Sequence, residues 1–166
     1  LCEQVVQAAY GKSATIIRPS YIAGPGDPTD RFTYWPWRVA QGGEMIAPGK
    51  PGDPFQYIDV RDLANFVRTC VEKRTGGAYN LCTPDGFVTM GSLLEASKKV
   101  TGADTKFVWA SKEFLEQNEL IGENAKGNYV PIWQPAGGDD AGIVQAKNDR
   151  AVKKGLKCRS VADTIK

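Results

Sequence analysis

The chain has 166 residues, with 21 lysines and arginines against 19 aspartates and glutamates; its formal net charge is +2, and it has no histidine. This excludes a Ser-His-Asp or Cys-His catalytic group and the common histidine-containing zinc sites, so proton chemistry must use Tyr, Lys, Asp, Glu or Cys. The length and the 42% hydrophobic content predict one globular domain. The near balance of charge argues against a nucleic-acid binder, which usually carries a basic cluster.

The cysteines and the apolar runs bear on the cellular compartment. Cys2, Cys70, Cys82 and Cys158 form no C-x-x-C pair, so neither a zinc knuckle nor a redox dithiol is expected. We interpret them as reduced thiols, three of them buried. The longest apolar runs span only a few residues, so we expect no membrane span and no secretory signal peptide, and we predict a cytoplasmic location.

The predicted elements begin with a helix over 1–10, because apolar residues recur there at three-four spacing and Gly11 closes the pattern. Residues 13–18 form a β-branched run, which is typical of a strand buried on both faces of a parallel sheet. The elements that follow are a helix over 31–41, strands at 44–47 and 55–58, a helix from 59, a strand at 78–82, a helix over 89–102, a strand at 106–109, a helix over 111–120, loops over 122–142 and a helix over 147–154.

Two helices carry clear start signals. Asp59 is the expected cap of the first, Asp62 is expected to reach back to that cap, and apolar residues fall on one face at positions 60, 63, 64, 67, 70 and 71. We therefore interpret this carboxylate pair as capping residues rather than catalytic ones. Ser160 is predicted to cap a last helix over 161–165, with Asp163 in the capping-box position.

Both ends of the chain look like interrupted helices. No cap precedes Leu1, the last helix stops at Lys166, and there is no initiator methionine. We expect the chain to be a piece of a longer protein, and fraying of the ends is the alternative. Such a piece would leave apolar faces uncovered and would associate with itself or with the missing half.

Motifs with their own chemistry are scarce. Gly24 and Gly26 have the first spacing of G-x-G-x-x-G, but position 29 is threonine. The P-loop and EF-hand patterns are absent from the sequence. We interpret the two adjacent aspartates, Asp139 and Asp140, as part of a solvated turn rather than a metal site. No metal site is predicted.

Three segments in a fixed order are more specific. Residues 18–27 comprise the end of a strand, an Arg-Pro pair and a loop rich in glycine and proline. Residues 55–64 comprise a strand followed directly by a capped helix, and residues 77–81 form another buried strand. Together they resemble the C-terminal half of an extended short-chain dehydrogenase/reductase of the NAD-dependent epimerase/dehydratase family. The strings at 31–36 and 47–49 are similar to those of its bacterial oxidoreductase-like members, and the resemblance covers nearly the whole chain.

The resemblance implies a fold and a division of the chain. The expected fold class is α/β, comprising the C-terminal part of a Rossmann-like doubly wound parallel sheet and a smaller α/β substrate-binding lobe. Residues 1–29 would be the tail of the dinucleotide-binding domain, 30–76 a substrate-lobe segment, 77–90 a strand returning to the Rossmann sheet, and 91–166 the remainder of the substrate lobe.

The resemblance also implies a site for NAD or NADP and a small-molecule substrate. The wall against the nicotinamide is expected at Pro19, Ser20, Tyr21 and Ile22, where a strand end offers rigid placement and backbone amides. Candidate substrate-binding residues are Tyr34, Trp35, Trp37, Phe55 and Arg61. Core packing is an equally weighted alternative for the aromatic residues, and an exposed, solvated side chain is the alternative for Arg61.

The family's catalytic Tyr-x-x-x-Lys pair would precede this chain, in which no tyrosine has lysine four residues later. We therefore predict no catalytic residue here and no activity for the segment alone. Phe55 stands where relatives acting on nucleotide sugars carry a diphosphate-binding arginine, which argues against such a substrate.

The implied function is hydride transfer between NAD(P) and a small organic substrate, as in an oxidoreductase, epimerase or dehydratase. The alternative is a non-catalytic relative that uses the same fold to bind NAD(P) or RNA, or a folded remnant. The expected partners are the substrate, the missing N-terminal half and a second copy, with no nucleic acid and no membrane.

Overall fold

A computed structural model describes residues 1–122, 130–135 and 141–166. The helices are α1 (Cys2–Tyr10), α2 (Tyr34–Ala40), α3 (Val60–Glu72), α4 (Met90–Thr101), α5 (Lys112–Gln117), α6 (Asp149–Lys153) and α7 (Val161–Ile165). The strands are β1 (Thr15–Pro19), β2 (Tyr21–Ala23), β3 (Gly43–Pro48), β4 (Tyr57–Asp59), β5 (Gly77–Leu81) and β6 (Thr105–Ala110). Most of the predicted loop at 122–142 lies outside the described residues, as do Asp139 and Asp140.

The described strands form three parallel pairs. β1 pairs with β5, β2 with β4, and β3 with β6. Parallel neighbours cannot be joined by a tight hairpin, so each pair requires a long crossover connection, and helices lie within those crossovers. This arrangement confirms the predicted α/β class.

An aromatic core fills the space between β3, β4, α2 and α4. Its rings belong to Phe32, Trp35, Phe55 and Tyr57, and the ring centroids of Phe32 and Tyr57 are 4.8 Å apart. Leucines and methionines of α4 and β3 complete this cluster. We call these four rings the aromatic core.

A second apolar cluster lies under α3. Phe66 packs on Tyr79 of β5 with ring centroids 5.5 Å apart, and Ala151 and Leu156 of the C-terminal segment complete the contact. The predicted apolar face of α3 is therefore wrong in part, because positions 62, 66 and 70 are buried whereas 67 and 71 are exposed. The packing of Phe66 against Tyr79 sets the rotation of this helix.

The predicted caps are largely confirmed. The carboxylate of Asp59 accepts a hydrogen bond from the Arg61 amide, and Ser160 accepts from the Asp163 amide. A capping box of Thr89 and Ser92 also begins α4. Asp62 does not reach back to the cap, since its carboxylate accepts the backbone amide and the guanidinium of Arg159 instead. A long-range ion pair replaces the expected local contact.

Burial at the start of the chain differs from the prediction. α1 forms as expected, yet none of its residues is buried. β1 was expected to be buried on both faces, but only Ile16 is buried, while Arg18 and Pro19 are exposed, because β5 is its one paired neighbour within the described residues.

Among the four free thiols, Cys70 and Cys82 are buried, Cys158 is half-buried and Cys2 is exposed, so two rather than three are buried. None of the helices in the described ranges has the length and apolar content needed to cross a membrane.

Candidate cofactor and substrate site

A cavity of about 820 Å³ opens at the carboxyl ends of β1 and β5. Its wall includes all four residues predicted to face the nicotinamide, which are Pro19, Ser20, Tyr21 and Ile22. Asn80 and Cys82 line it from the end of β5. We call it the strand-edge cavity.

Local backbone geometry places this wall. The Ser20 amide donates to the Leu81 carbonyl at 3.0 Å, which ties the link between β1 and β2 to the end of β5. Gly24 follows with φ +110°, and a Cβ there would lie 3.3 Å from Cγ1 of Val60. A glycine therefore lets the loop pass close to the start of α3.

Two polar groups of this cavity, the Ser20 hydroxyl and the Cys82 thiol, are buried. The Ser20 amide is already bonded, whereas its hydroxyl oxygen is buried without a hydrogen-bond partner among the described residues. The thiol of Cys82 is not a ready nucleophile, because burial, helped by the nearby Asp85 carboxylate, raises its pKa to about 11.

A second cavity of about 760 Å³, which we call the aromatic cavity, lies beside the first. Tyr34 and Trp37 of α2 line it together with Met45 and Ile46 of β3. Trp37 is 58% exposed, an unusual state for a large ring. Thr29 and Arg31 line both cavities, so the two spaces meet at this loop.

The structure does not bring the other three substrate candidates to this wall. Trp35 is 0% exposed and Phe55 is 1% exposed, and both belong to the aromatic core. Arg61 binds both carboxylate oxygens of Asp59, at 3.0 and 2.8 Å, and donates to the Asp163 carbonyl at 2.9 Å. Arg61 borders only a smaller cavity of about 300 Å³ among those described here.

The Asp59 carboxylate, behind the site, is stabilised in its charged form. Burial acts to raise the pKa of Asp59, but hydrogen bonds from the Arg61 side chain and amide outweigh it and hold the pKa below its ordinary value. Tyr57 is not an acid/base candidate, because burial raises its pKa to about 12 and its hydroxyl donates to Thr164 at 3.5 Å.

Sequence reasoning overlooked Arg31. Its guanidinium lies over the Tyr21 ring, 5.4 Å from the centroid, and its Nε donates to the Thr29 hydroxyl at 3.0 Å. The available signal was a cation placed between the Gly/Pro loop and an aromatic run, and this signal does not distinguish a site residue from a surface residue.

Solved structures share this fold. The RMD protein of Pseudomonas aeruginosa, solved with NADPH, is 12% identical with a TM-score of 0.61, over 98% of this chain and 50% of that one. UDP-glucose 4-epimerase of Thermus thermophilus, solved with NAD, is 16% identical with a TM-score of 0.61, over 99% of this chain and 49% of that one. The human epimerase family protein SDR39U1, solved with NADPH, is 14% identical with a TM-score of 0.58, over 91% and 46%. No protein-family model matches the chain, and no curated protein matches it.

At these identities the likeness establishes the fold. The chain has the Rossmann-type α/β fold of these structures and spans about half the length of each. The predicted resemblance to extended short-chain dehydrogenase/reductases is thereby confirmed at the level of the fold.

Proposed function

We propose that this chain forms the nicotinamide-facing wall and the substrate pocket of an NAD(P)-dependent enzyme that transfers hydride to or from a small organic molecule. The observation that carries the proposal is that Pro19, Ser20, Tyr21 and Ile22 line one cavity at the carboxyl edge of a parallel strand pair. Open α/β folds bind their ligands at this edge.

The size and chemistry of the strand-edge cavity fit a nicotinamide nucleotide. Its volume of about 820 Å³ falls within the range of about 300 to 1,000 Å³ that is common for ligand pockets. The Ser20 hydroxyl has no hydrogen-bond partner among the described residues, and we assign it the carboxamide contact in place of the backbone amides. When bound, NAD(P) supplies or accepts the hydride.

The residues of this chain would then position the reactants and keep water away. Tyr21 and Ile22 form an apolar wall on the cofactor side, and Tyr34 and Trp37 of the aromatic cavity hold the substrate body. Trp35 and Phe55 support these walls from the core. The acid/base pair is expected outside these residues, so the chain alone should be inactive.

Two similarly exposed isoleucines give a matched test of the cavity assignment. Ile22, 40% exposed, lines the strand-edge cavity, and Ile46, 43% exposed, lines the aromatic cavity. In the complete protein that carries this chain, Ile22→Trp should fill the cofactor space and weaken NADH or NADPH binding about tenfold or more, a loss of about 1.4 kcal/mol. Ile46→Trp should leave cofactor binding unchanged.

The measurement is calorimetric titration of both nucleotides into the wild type and the two variants. Absence of nucleotide binding in the wild type would refute the proposal, and so would equal affinity in Ile22→Trp. Nucleotide binding without turnover of any carbonyl or hydroxyl compound would instead favour the non-catalytic relative.

A further inference from the structure

We propose that the aromatic cavity recognises an anion: Arg31 binds a carboxylate or phosphate group of a small organic substrate whose apolar body packs against Tyr34 and Trp37. This inference rests on the proposed function and specifies the substrate class of the same site.

The guanidinium of Arg31 is held in place but not neutralised. Stacking over Tyr21 at 5.4 Å and the 3.0 Å bond from Nε to Thr29 fix its plane. Thr29 in turn donates its hydroxyl to the Asp27 carboxylate at 2.6 Å. Within residues 1–122, 130–135 and 141–166, Arg31 forms no ion pair, and neither of its Nη atoms donates a hydrogen bond. Two parallel donors are thus available for a bidentate contact with an oxyanion.

Other arginines of the chain are differently engaged. Four of them, Arg18, Arg61, Arg68 and Arg159, each form an ion pair with a carboxylate. Arg38, on the same cavity wall as Arg31, donates to the Glu44 carbonyl at 2.8 Å. Arg31 therefore differs from these five arginines in lining a cavity with an oriented guanidinium whose Nη donors are available among the described residues.

The charge of the cavity favours an anion. Its described wall carries two cations, Arg31 and Arg38, against one carboxylate, Asp30. An excess of positive charge in a recess with apolar walls attracts anions more strongly than a flat surface does.

The remaining wall suits an apolar body. Met45, Ile46 and Leu120 line the cavity along with the exposed ring of Trp37. Because Arg31 also borders the strand-edge cavity, the anionic group would lie at the boundary between the two spaces. The substrate would then extend from this boundary into the aromatic cavity.

The test uses three probes with the same ring: benzoate, phenyl phosphate and benzamide. Calorimetric titration is done on the complete protein as wild type, Arg31→Gln and Arg31→Lys. The control is Arg68→Gln, which removes an exposed arginine that does not line the cavity. The wild type should bind at least one anion about tenfold more tightly than benzamide, as expected for a charge-assisted bidentate bond. The stronger of the two anions distinguishes a carboxylate site from a phosphate site.

Arg31→Gln should abolish the preference for an anion, Arg31→Lys should retain part of it, and Arg68→Gln should leave it intact. Equal binding of all three probes by the wild type, no binding of either anion, or a preference undiminished in both Arg31 variants would overturn the proposal. NADPH titration of the same samples distinguishes the anion proposal from the proposed function. If an Arg31 variant binds NADPH normally but has lost the anion preference, the defect is assigned to Arg31. Absence of cofactor binding in the wild type would refute the proposed function alone.

Discussion

The aromatic core and the region of α1 and β1 are built from similar apolar residues, but they differ in how these residues are covered. Trp35 and Phe55 are enclosed by elements that are distant in the sequence, including β3, α4 and β6. Val5, by contrast, is 60% exposed on a helix without a buried residue. Stability within the described residues should therefore depend far more on the aromatic core than on α1.

The largest expected effect is a substitution in the aromatic core. Trp35→Ala removes a fully buried ring and should lower the free energy of unfolding by about 3 to 5 kcal/mol, through lost burial and a new cavity. Val5→Ala in α1 should change it by less than about 0.5 kcal/mol. Urea denaturation of both variants measures the difference, and comparable losses would contradict the contrast between the regions.

A smaller loss is expected where the C-terminal segment is held to α3. Asp62 accepts from the Arg159 amide at 2.8 Å and from its guanidinium at 3.0 and 2.8 Å. Asp62→Asn removes the charge from this part-buried pair and should lower the free energy of unfolding by about 2 kcal/mol.

The matched control is Glu72→Gln, which breaks the exposed ion pair with Arg68 on the same helix. Exposed pairs contribute about 0 to 1 kcal/mol, so this variant should remain close to the wild type. If both variants lost the same stability in urea, the attachment of the C-terminal segment would not depend on Asp62.

The elements that sequence reasoning predicted well are those specified by nearby residues. Asp59, Thr89 and Ser160 act as caps on the helices predicted for them, since a cap involves residues two or three positions apart. Asp62 was misassigned because its partner lies 97 residues away. The rotation of α3 was missed for the same reason, as it depends on Tyr79 in another strand.

In the candidate site, too, the features set by nearby residues could be predicted from the sequence, whereas those set by tertiary contacts could not. The position of residues 19–22 at the sheet edge could be predicted because a strand end fixes it, whereas their contact with a cofactor stays a prediction. Trp35 and Trp37 are two positions apart on one helix, and their types alone could not indicate that the first faces the core and the second a cavity. The orientation of α2 on α4 decides this, and that contact is tertiary.

The acid dependence of stability should depend on Asp59. Its pKa in the folded protein is below the ordinary value of 3.8, so its contribution is complete above that value and is lost as the pH falls through the lowered pKa. Asp59→Asn keeps a capping oxygen, but it should make the free energy of unfolding depend less steeply on pH in the acid range. Asp104→Asn, a substitution at an exposed side chain, is the control and should keep the wild-type slope. The free energy of unfolding is measured by urea denaturation below about pH 4. An equal dependence on pH in Asp59→Asn and the wild type would count against this role of Asp59.

The smallest perturbation tests the coverage of α1 directly, through thiol alkylation of the native protein with iodoacetamide near pH 8. Cys2 lies exposed in α1 and should react quickly. Burial raises the pKa of Cys82 and of Cys158 to about 11, so only about one in a thousand of these thiols is ionised at that pH, and both should react only after denaturant is added. Peptide mass spectrometry, with Cys2→Ser as the control, assigns each label. If Cys2 is protected until denaturation, α1 is covered in solution, and its contribution to stability has to be reassigned to that contact.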